Sequence, residues 1–316
     1  MARKMKVTTA KLTQCTWEEA FEGFVFWKQA QGLSITTITG YKNVITHFFK
    51  RFPYCWQSAK LRNSIIQHMA DNIKPATYNL RLIYLRALFD WCIREGYLDV
   101  NPLSDFKKRK AQPRIVNIPE DVLQSLLKLP DQTSFAGLRD YTLILLTLDT
   151  GIRPKEAFNL KPQDIDLKHF FITIPEEVAK TRVTRSLPIL PPTAKALNKL
   201  IRARHPAWAI DTPIFCSCEG TTLSRHTWGD RIEMYSIKLG FKIRPYDLRH
   251  AFALLYLRNG GHAFALQKSL GHTDMSMTKR YVNLTGQDLK NTHAKASPLN
   301  KLIVTKKKDR IRKISI

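Results

Sequence analysis

Residues 141–156 read YTLILLTLDTGIRPKE and join an apolar helix to a charged turn. The run from Tyr141 to Leu148 is nearly all apolar, so we expect a helix from about Phe135 to Thr150 to be buried. Arg153 follows this helix directly. A single arginine near a helix end is ordinarily a solvated charge. A functional role for Arg153 therefore has to be supported by motifs further along the chain.

Four further segments follow in a fixed order. Lys180-Thr181 lies in a predicted hairpin, and Tyr281 lies nine residues beyond His272. The segments are Lys180-Thr181, YDLRH (246–250), LGH (270–272) and TKRY (278–281). With TGIRPKE (150–156), they resemble the catalytic boxes of tyrosine recombinases, the phage-integrase family. One box alone is weak evidence for the family, but five boxes in the right order are a specific signal.

The resemblance implies a set of catalytic roles. Tyr281 is expected to attack a DNA phosphodiester, leaving a 3′-phosphotyrosyl link and a free 5′-hydroxyl. Arg153 and Arg249 would clamp the non-bridging oxygens, because a guanidinium fork matches phosphate geometry and donors aimed at developing charge are the largest catalytic factor. Lys180 would protonate the leaving 5′-oxygen, and His272 would donate to the phosphate and help to position Tyr281. A covalent intermediate preserves the bond energy, so we expect no cofactor, metal or ATP.

One position departs from the family pattern. Tyr246 stands where the family usually has histidine. A phenol can donate a hydrogen bond to a phosphate oxygen, but it cannot become a cation near pH 7. We therefore expect Tyr246 to act as a donor. His250 is an alternative imidazole, although on a helix it points about 100° away from Arg249.

The charge balance predicts a nucleic-acid partner. Lys and Arg total 51 against 26 for Asp and Glu, a net charge of +25. Such an excess of positive charge indicates a polyanionic binding partner. A membrane surface is disfavoured because the sequence has no apolar run that would span a bilayer and no lipidation signal. The basic start is followed by a polar stretch where a signal peptide would need an apolar one. We therefore expect a cytoplasmic protein, associated with the nucleoid when bound to DNA.

The cysteines predict neither disulfides nor a metal site. Their number, five, is odd and their spacing is irregular. Cys216 and Cys218, with His205 and His226 nearby, suggest zinc as the less favoured alternative. There is no second ligand pair at zinc-finger spacing, so reduced cysteines near a strand are the preferred interpretation.

Hydrophobic periodicity predicts a mostly α protein with a small β-sheet, of class α+β. The resemblance implies that residues 14–105 form a helical core-binding (SAM-like) domain and residues 118–290 a catalytic domain. A basic extension (1–13), a basic linker (106–117) and a tail (291–316) complete the predicted organisation. The resemblance implies that the two domains form a C-shaped clamp on DNA. Segments 170–174 and 186–189 are predicted strands joined by a hairpin connection. A one-residue register error there would exchange the side chains that face the site, so Arg182 and Arg185 remain alternatives to Lys180.

In the core-binding domain, a helix from near Ala76 is expected to end at Glu95-Gly96. Its apolar side is predicted to carry Leu80, Ile83, Tyr84, Leu88, Phe89 and Trp91. Residues 34–41 and 78–86 resemble the family's two groove-binding helices. Candidate DNA contacts in this domain are Lys42, Arg81 and Arg86, each of which could equally be an ordinary solvated charge. In the basic linker the candidates are Lys107, Lys108 and Arg109. Phosphate contacts set register and leave the target sequence unspecified.

The tail is predicted to take part in assembly. Leu302, Ile303 and Val304 are expected to dock on a neighbouring subunit, since family members pass a C-terminal segment between protomers; packing on the same chain is the alternative. A basic cluster follows that is expected to contact DNA. The resemblance implies a homotetramer holding two double-stranded DNA duplexes with short inverted-repeat core sites.

The expected function is conservative site-specific strand exchange through a Holliday junction. We expect no arm-binding domain before Thr16, which would favour a transposon- or plasmid-borne recombinase, a resolvase or a chromosome-dimer enzyme over a large phage integrase. Two alternatives remain open: a catalytically inactive DNA-binding protein of the same fold, and a type IB topoisomerase-like enzyme.

Overall fold

A computed structural model of the protein describes residues 14–111, 117–179, 183–282, 290 and 293–302. The chain divides into two compact units, residues 1–112 and 113–316, each with a hydrophobic core. Helices dominate both units, and one small antiparallel sheet lies in the second. The fold class predicted from the sequence is confirmed.

The regular secondary structure in the described part of the first unit consists of α-helices. Its first helix begins at Thr16, whose hydroxyl accepts a hydrogen bond from the Glu19 amide at 3.1 Å while the Glu19 carboxylate accepts from the Thr16 amide at 2.7 Å. This reciprocal cap satisfies two amides that the helix leaves unpaired. The helices are α1 (Trp17–Ala30), α2 (Ile35–Arg51), α3 (Leu61–Met69) and α4 (Pro75–Arg94).

The buried face of α4 differs from the predicted one. Leu82 and Leu85 are buried, whereas Leu80 and Ile83 are exposed at 43% and 42%. The predicted assignment of Leu80 and Ile83 to the core side was therefore wrong. The helix carries apolar residues on two faces, and periodicity alone could not tell which of them meets α1 and α2.

The second unit surrounds a larger core. Its sheet has the order β1-β2-β3, with Ile165 opposite Ile172 and Ile172 opposite Leu187. The predicted hairpin strands are present within one residue, and β1 was not predicted. The elements are α5 (Glu120–Lys128), α6 (Phe135–Thr150), α7 (Pro154–Ala157), β1 (Ile165–Asp166), β2 (Phe171–Ile174), β3 (Arg185–Pro188), α8 (Pro191–Arg202), α9 (Arg225–Leu239), α10 (Pro245–Arg258), α11 (Ala263–Leu270), α12 (Met275–Val282) and α13 (Leu299–Leu302).

Two helix ends in this unit are brought together by glycine. Gly151 after α6 and Gly271 after α11 both have positive φ, 64° and 60°, as left-handed helix caps. A Cβ at Gly151 would lie 2.3 Å from a ring carbon of Phe252 and 2.8 Å from a methyl of Leu270. The backbone that leaves α6 therefore passes so close to α10 and α11 that no side chain fits at position 151.

His68 in α3 is a buried imidazole in the first unit. It is fully buried among aromatic rings, 5.2 Å from Phe48 and 6.4 Å from Phe52 between centroids. Neither ring nitrogen has a hydrogen-bond partner in the described part of the chain. Burial, followed by the charges of Arg81 and Arg51, lowers the pKa of His68 to about 4. The native unit therefore holds this ring neutral.

We expect His68 to make the first unit sensitive to mild acid. Between pH 6.5 and 4 the unfolded chain binds a proton at this residue that the folded chain excludes, so the free energy of unfolding falls as the pH falls. The loss from this group is on the order of 2 kcal/mol between pH 7 and pH 5. Urea unfolding of the wild type and of His68→Phe at both pH values, followed by tryptophan fluorescence, measures it. The wild type should lose more stability than the variant; equal losses would place the titration elsewhere.

Candidate active site

Three arginine side chains converge on the carbonyl end of α11. Each guanidinium donates to a different one of three successive carbonyls. The contacts are Arg185 Nε to Ser269 O at 3.3 Å, Arg249 Nη2 to Leu270 O at 2.8 Å and Arg153 Nη2 to Gly271 O at 3.1 Å. The last carbonyls of a helix have no partner inside the helix and carry its partial negative charge. The end of α11 is therefore a natural place to hold cations.

Arg249 is the most deeply placed of the three. Its side chain is 1% exposed, and Nη1 donates to Gly151 O at 2.5 Å. It thus links the end of α6 to the end of α11. Burial, followed by the charge of Arg153, lowers the pKa of Arg249 to about 10, and the group is still a cation at neutral pH.

Glu156 is the counter-charge of the cluster. Its carboxylate accepts from Arg153 Nη1 at 2.9 Å and from Arg185 Nη2 at 2.5 Å, and it also caps the Arg153 amide at 3.1 Å. Burial alone would raise the pKa of Glu156, but the hydrogen bonds and charges of Arg185 and Arg153 outweigh burial and lower it. One carboxylate faces three guanidiniums, so the cluster attracts an anion.

His272 lies at the edge of the cluster as a neutral ring. Its Nε2 is 3.3 Å from Arg249 Nη2, and its Nδ1 is 2.9 Å from Thr278 Oγ1. Because a guanidinium only donates, Nε2 accepts, and the network assigns the ring proton to Nδ1. Burial, followed by the charges of Arg249 and Arg153, lowers the pKa of His272 to about 4. Donation to a phosphate, the role implied by the resemblance, requires Nε2 to carry the proton instead.

Tyr281 projects from α12 onto α10. The side chain is 8% exposed, and its Oη is 2.6 Å from His250 Nδ1. Tyr246, in the first turn of α10, is 47% exposed, and its ring centroid lies 5.7 Å from that of His250. Tyr281, the residue expected to attack, and Tyr246, the residue that departs from the family pattern, therefore both lie next to the imidazole of His250.

The hairpin contributes Arg185 to the cluster. In the β2–β3 register Ile174 lies opposite Arg185, whose guanidinium binds Glu156. Lys180 and Arg182 lie outside the described residues, as do Ile303 and Val304 of the tail. Their expected roles stay predictions.

Three residues of this site were not assigned by the sequence analysis. Glu156 stands three residues after Arg153, a spacing at which opposite charges pair on a helix, and this signal was available. Arg185 was only an alternative to Lys180, and nothing local indicates its buried pairing. His250 was only an alternative imidazole to Tyr246, because it points away from Arg249; that direction is what brings it to Tyr281.

The comparison with known families decides the assignment. A family model described as the phage integrase family matches residues 117–288, more than half of the chain. The chain belongs to the phage integrase family. The resemblance inferred from the five boxes is thereby confirmed, and the protein is a tyrosine recombinase, an enzyme that cleaves and rejoins DNA.

Curated relatives of this recombinase match it over most of their length. Tyrosine recombinase XerC of Thermodesulfovibrio yellowstonii is 28% identical over 87% of this chain and 94% of its own. Tyrosine recombinase XerD of Lacticaseibacillus casei is 26% identical over 85% and 94%. XerC of Actinobacillus pleuropneumoniae is 30% identical over 77% and 80%.

Solved structures of related enzymes share the fold of this recombinase. The Tn1549 transposon integrase in complex with transposon right end DNA has a TM-score of 0.72 at 18% identity, covering 90% of this chain and 100% of that chain. A lambda integrase dimer bound to a core site has a TM-score of 0.68 at 18% identity, covering 86% and 97%. XerH bound to its difH substrate has a TM-score of 0.65 at 17% identity, covering 90% of each chain.

The candidate DNA contacts of the first unit differ in their surroundings. Arg81 donates to His68 O and to Asp71, both at 2.7 Å, and Arg86 donates to the carbonyl of Leu103 at 2.8 Å. Both side chains are thus already engaged within the unit. Lys42, Lys107 and Lys108 are exposed.

Arg109 holds the start of the basic linker against α4. Its guanidinium carbon lies 3.8 Å from the centroid of the Tyr78 ring, and its backbone amide and carbonyl each bond the Asn79 side chain at 2.8 Å. The basic segment is therefore tied to the surface of the first unit at Arg109.

The described residues contain no group of three or more His, Cys, Asp or Glu side chains able to hold a metal ion. In the same part of the chain, no helix is long and apolar enough to cross a membrane.

We expect Glu156→Gln to damage both the cluster and the reaction of the recombinase. The amide leaves two buried guanidiniums without their shared counter-charge, which costs about 3 kcal/mol of unfolding free energy. Misplaced phosphate donors are expected to slow cleavage about a hundredfold. Urea unfolding and single-turnover DNA cleavage measure the two effects.

Glu233→Gln is the matched control, because Glu233 is exposed on α9. It should leave stability and cleavage rate close to those of the wild type. A Glu156→Gln protein as stable and as fast as this control would show that the carboxylate does not organise the cluster.

Proposed function

We propose that this protein is a site-specific recombinase that performs conservative strand exchange through a 3′-phosphotyrosyl intermediate at Tyr281, serving a mobile element in integration, excision, transposition or resolution. The supporting observation is the placement of Arg153, Arg249 and His272 at one helix end, next to the helix that carries Tyr281. α12 packs on both α10 and α11, which hold or border these groups.

The proposed reaction follows from these groups. Tyr281 Oη forms a bond to phosphorus as the bond to the 5′-oxygen breaks. Arg153 and Arg249 stabilise the charge on the non-bridging oxygens, and their buried contacts hold them in place before the substrate arrives. Lys180 donates a proton to the 5′-oxygen, and Tyr246 donates a hydrogen bond to the phosphate. His272 donates to the phosphate as well, in the tautomer that carries its proton on Nε2. Attack by a 5′-hydroxyl on the phosphotyrosine reverses each step and rejoins the strand.

DNA binding is proposed to involve both units. Residues 14–105 would form the core-binding domain and 118–290 the catalytic domain, joined by the basic segment 106–117 and followed by the tail 291–316. Leu80 and Ile83, exposed on α4, add apolar surface to the helix that resembles a groove-binding one. Lys42 and the exposed lysines 107 and 108 are the favoured phosphate contacts, since Arg81 and Arg86 are held by internal acceptors.

Assembly is proposed to be a homotetramer on two duplexes with inverted-repeat core sites. Leu299 and Leu302 of α13 are 56% and 74% exposed. Apolar side chains this exposed on a short helix are suited to docking on a second copy of the chain. The same tail would connect the subunits cyclically.

Leu302→Asp should weaken assembly while leaving single-site binding intact. A charge cannot be buried in an apolar dock without a partner, so complexes with more than one subunit should become rarer. Native gel shifts on one-half and two-half core sites separate the two properties. Lys295→Asp, an exposed change in the same tail, controls for charge alone. Equal cooperativity in wild type and Leu302→Asp would contradict the docking role.

A covalent-trapping experiment tests the function directly. DNA carrying the flanks of the gene's own element, nicked just beyond the cleavage point, is incubated with wild type, Tyr281→Phe and Tyr54→Phe, and resolved on a denaturing gel. Tyr54 is 88% exposed in the first unit and serves as the matched control. The adduct should form with wild type and Tyr54→Phe and be absent with Tyr281→Phe.

Other outcomes have definite meanings. If every protein binds this DNA, or sites selected for binding, and none forms an adduct, the chain is a DNA-binding protein without catalysis. An adduct that persists in Tyr281→Phe would assign the nucleophile to another residue. Relaxation of supercoils without exchange between two sites would favour the topoisomerase-like activity.

A further inference from the structure

The proton of the attacking tyrosine needs a destination. A phenol attacks phosphorus effectively only as its proton leaves, and a positioned base within hydrogen-bond reach supplies that step. The Oη of Tyr281 lies 2.6 Å from Nδ1 of His250, with the two rings 5.6 Å apart at an angle of 45°. The contact is therefore a short, direct hydrogen bond to the expected reacting atom.

The helix explains how His250 reaches this place. Consecutive residues of α10 project about 100° apart. Arg249 turns toward the carbonyl ends of α6 and α11, and His250 turns toward α12. Arg249 thus belongs to the expected phosphate clamp, and His250, the next residue, contacts the expected nucleophile.

The other nearby candidates are less suited to accept this proton. Both ring nitrogens of His272 are engaged, Nε2 by Arg249 and Nδ1 by Thr278, and its low pKa of about 4 opposes protonation. Tyr246 is a phenol, which has no basic site for a proton near neutral pH. His250 has an imidazole nitrogen directed at the phenolic oxygen.

We propose that His250 is a catalytic residue of this enzyme, the general base that accepts the Tyr281 proton. The inference rests on the proposed function. As the bond from Oη to phosphorus forms and the bond to the 5′-oxygen breaks, the Oη proton passes to Nδ1 and His250 becomes an imidazolium. In the rejoining step the imidazolium returns this proton to Tyr281 as phenol leaves phosphorus. The neutral ring carries its other proton on Nε2.

The surroundings favour the transfer. Tyr281 is 8% exposed, so the hydrogen bond is shielded from most of the solvent and is electrostatically stronger than in water. The ring of Tyr246 also packs near His250, with the two centroids 5.7 Å apart at an angle of 59°. Tyr246 would thus position the base, in addition to its proposed contact with phosphate.

Variants at position 250 separate a base from a mere hydrogen-bond acceptor. His250→Asn keeps an acceptor oxygen near the Nδ1 position but cannot take the proton, and His250→Ala leaves room for free imidazole. Both should slow single-turnover adduct formation on the nicked DNA at least about a hundredfold at constant pH. Added imidazole should restore His250→Ala several-fold and leave His250→Asn and the wild type unchanged. His169→Asn, an exposed histidine on the β1–β2 turn, controls for loss of an imidazole.

A change in the nucleophile provides a second measurement. Replacing Tyr281 by 3,5-difluorotyrosine lowers the pKa of the phenol, which reduces the need for a base. The rate difference between wild type and His250→Asn should therefore shrink at least several-fold in the fluorinated proteins.

The results have clear consequences. A His250→Asn protein as fast as His169→Asn, or a rate difference that fluorination leaves unchanged together with no imidazole rescue, would overturn the assignment. Both results are interpreted only if the wild type forms an adduct that depends on Tyr281. Absence of that adduct in the wild type would instead reject the proposed function.

Discussion

The carbonyl end of α11 is the contact on which the rest of the site depends. Three guanidiniums bind its last three carbonyls, and this is possible because Gly271 turns the chain into a left-handed conformation that leaves those oxygens open. A helix that continued, or one capped by a side chain, would use the same oxygens internally. The cations are thus placed by main-chain atoms, which cannot change rotamer, and α11 is fixed in turn by its packing on α10 and α12.

Such a cluster is costly to bury, and Glu156 explains how the fold tolerates it. One carboxylate contacts Arg153 and Arg185, while carbonyls satisfy much of the remaining donor capacity. The charges are therefore paired or hydrogen-bonded, as buried charges must be. Because one carboxylate does not neutralise three cations, the site keeps a positive potential after folding. In the proposed reaction, the fold holds these donors rigidly where negative charge develops, an arrangement that usually gives catalysis its largest electrostatic contribution.

The sequence predicted the framework of the molecule better than its internal pairings. Helix bounds at Phe135–Thr150 and the two hairpin strands follow from apolar patterns and hold closely. The boxes named Arg153, Arg249 and His272, which the structure brings together. The α4 core face was misassigned because two faces are apolar. Arg185 was only an alternative because its partner Glu156 is distant in sequence. His250 was only an alternative because its contact with Tyr281 depends on how α12 packs. Pairings of this kind are set by tertiary structure, which local patterns do not contain.

All the described side-chain contacts of the cluster join residues of the second unit, from Gly151 to Tyr281. The exposed apolar residues of α4 and Arg109 of the linker belong to the first. Under the DNA-binding role proposed for the first unit, substitutions on its exposed surface can therefore accumulate while the described contacts of the cluster stay in place. Such a separation would let DNA binding evolve without passing through inactive intermediates. For engineering, it would make the first unit the rational place to exchange segments of the chain.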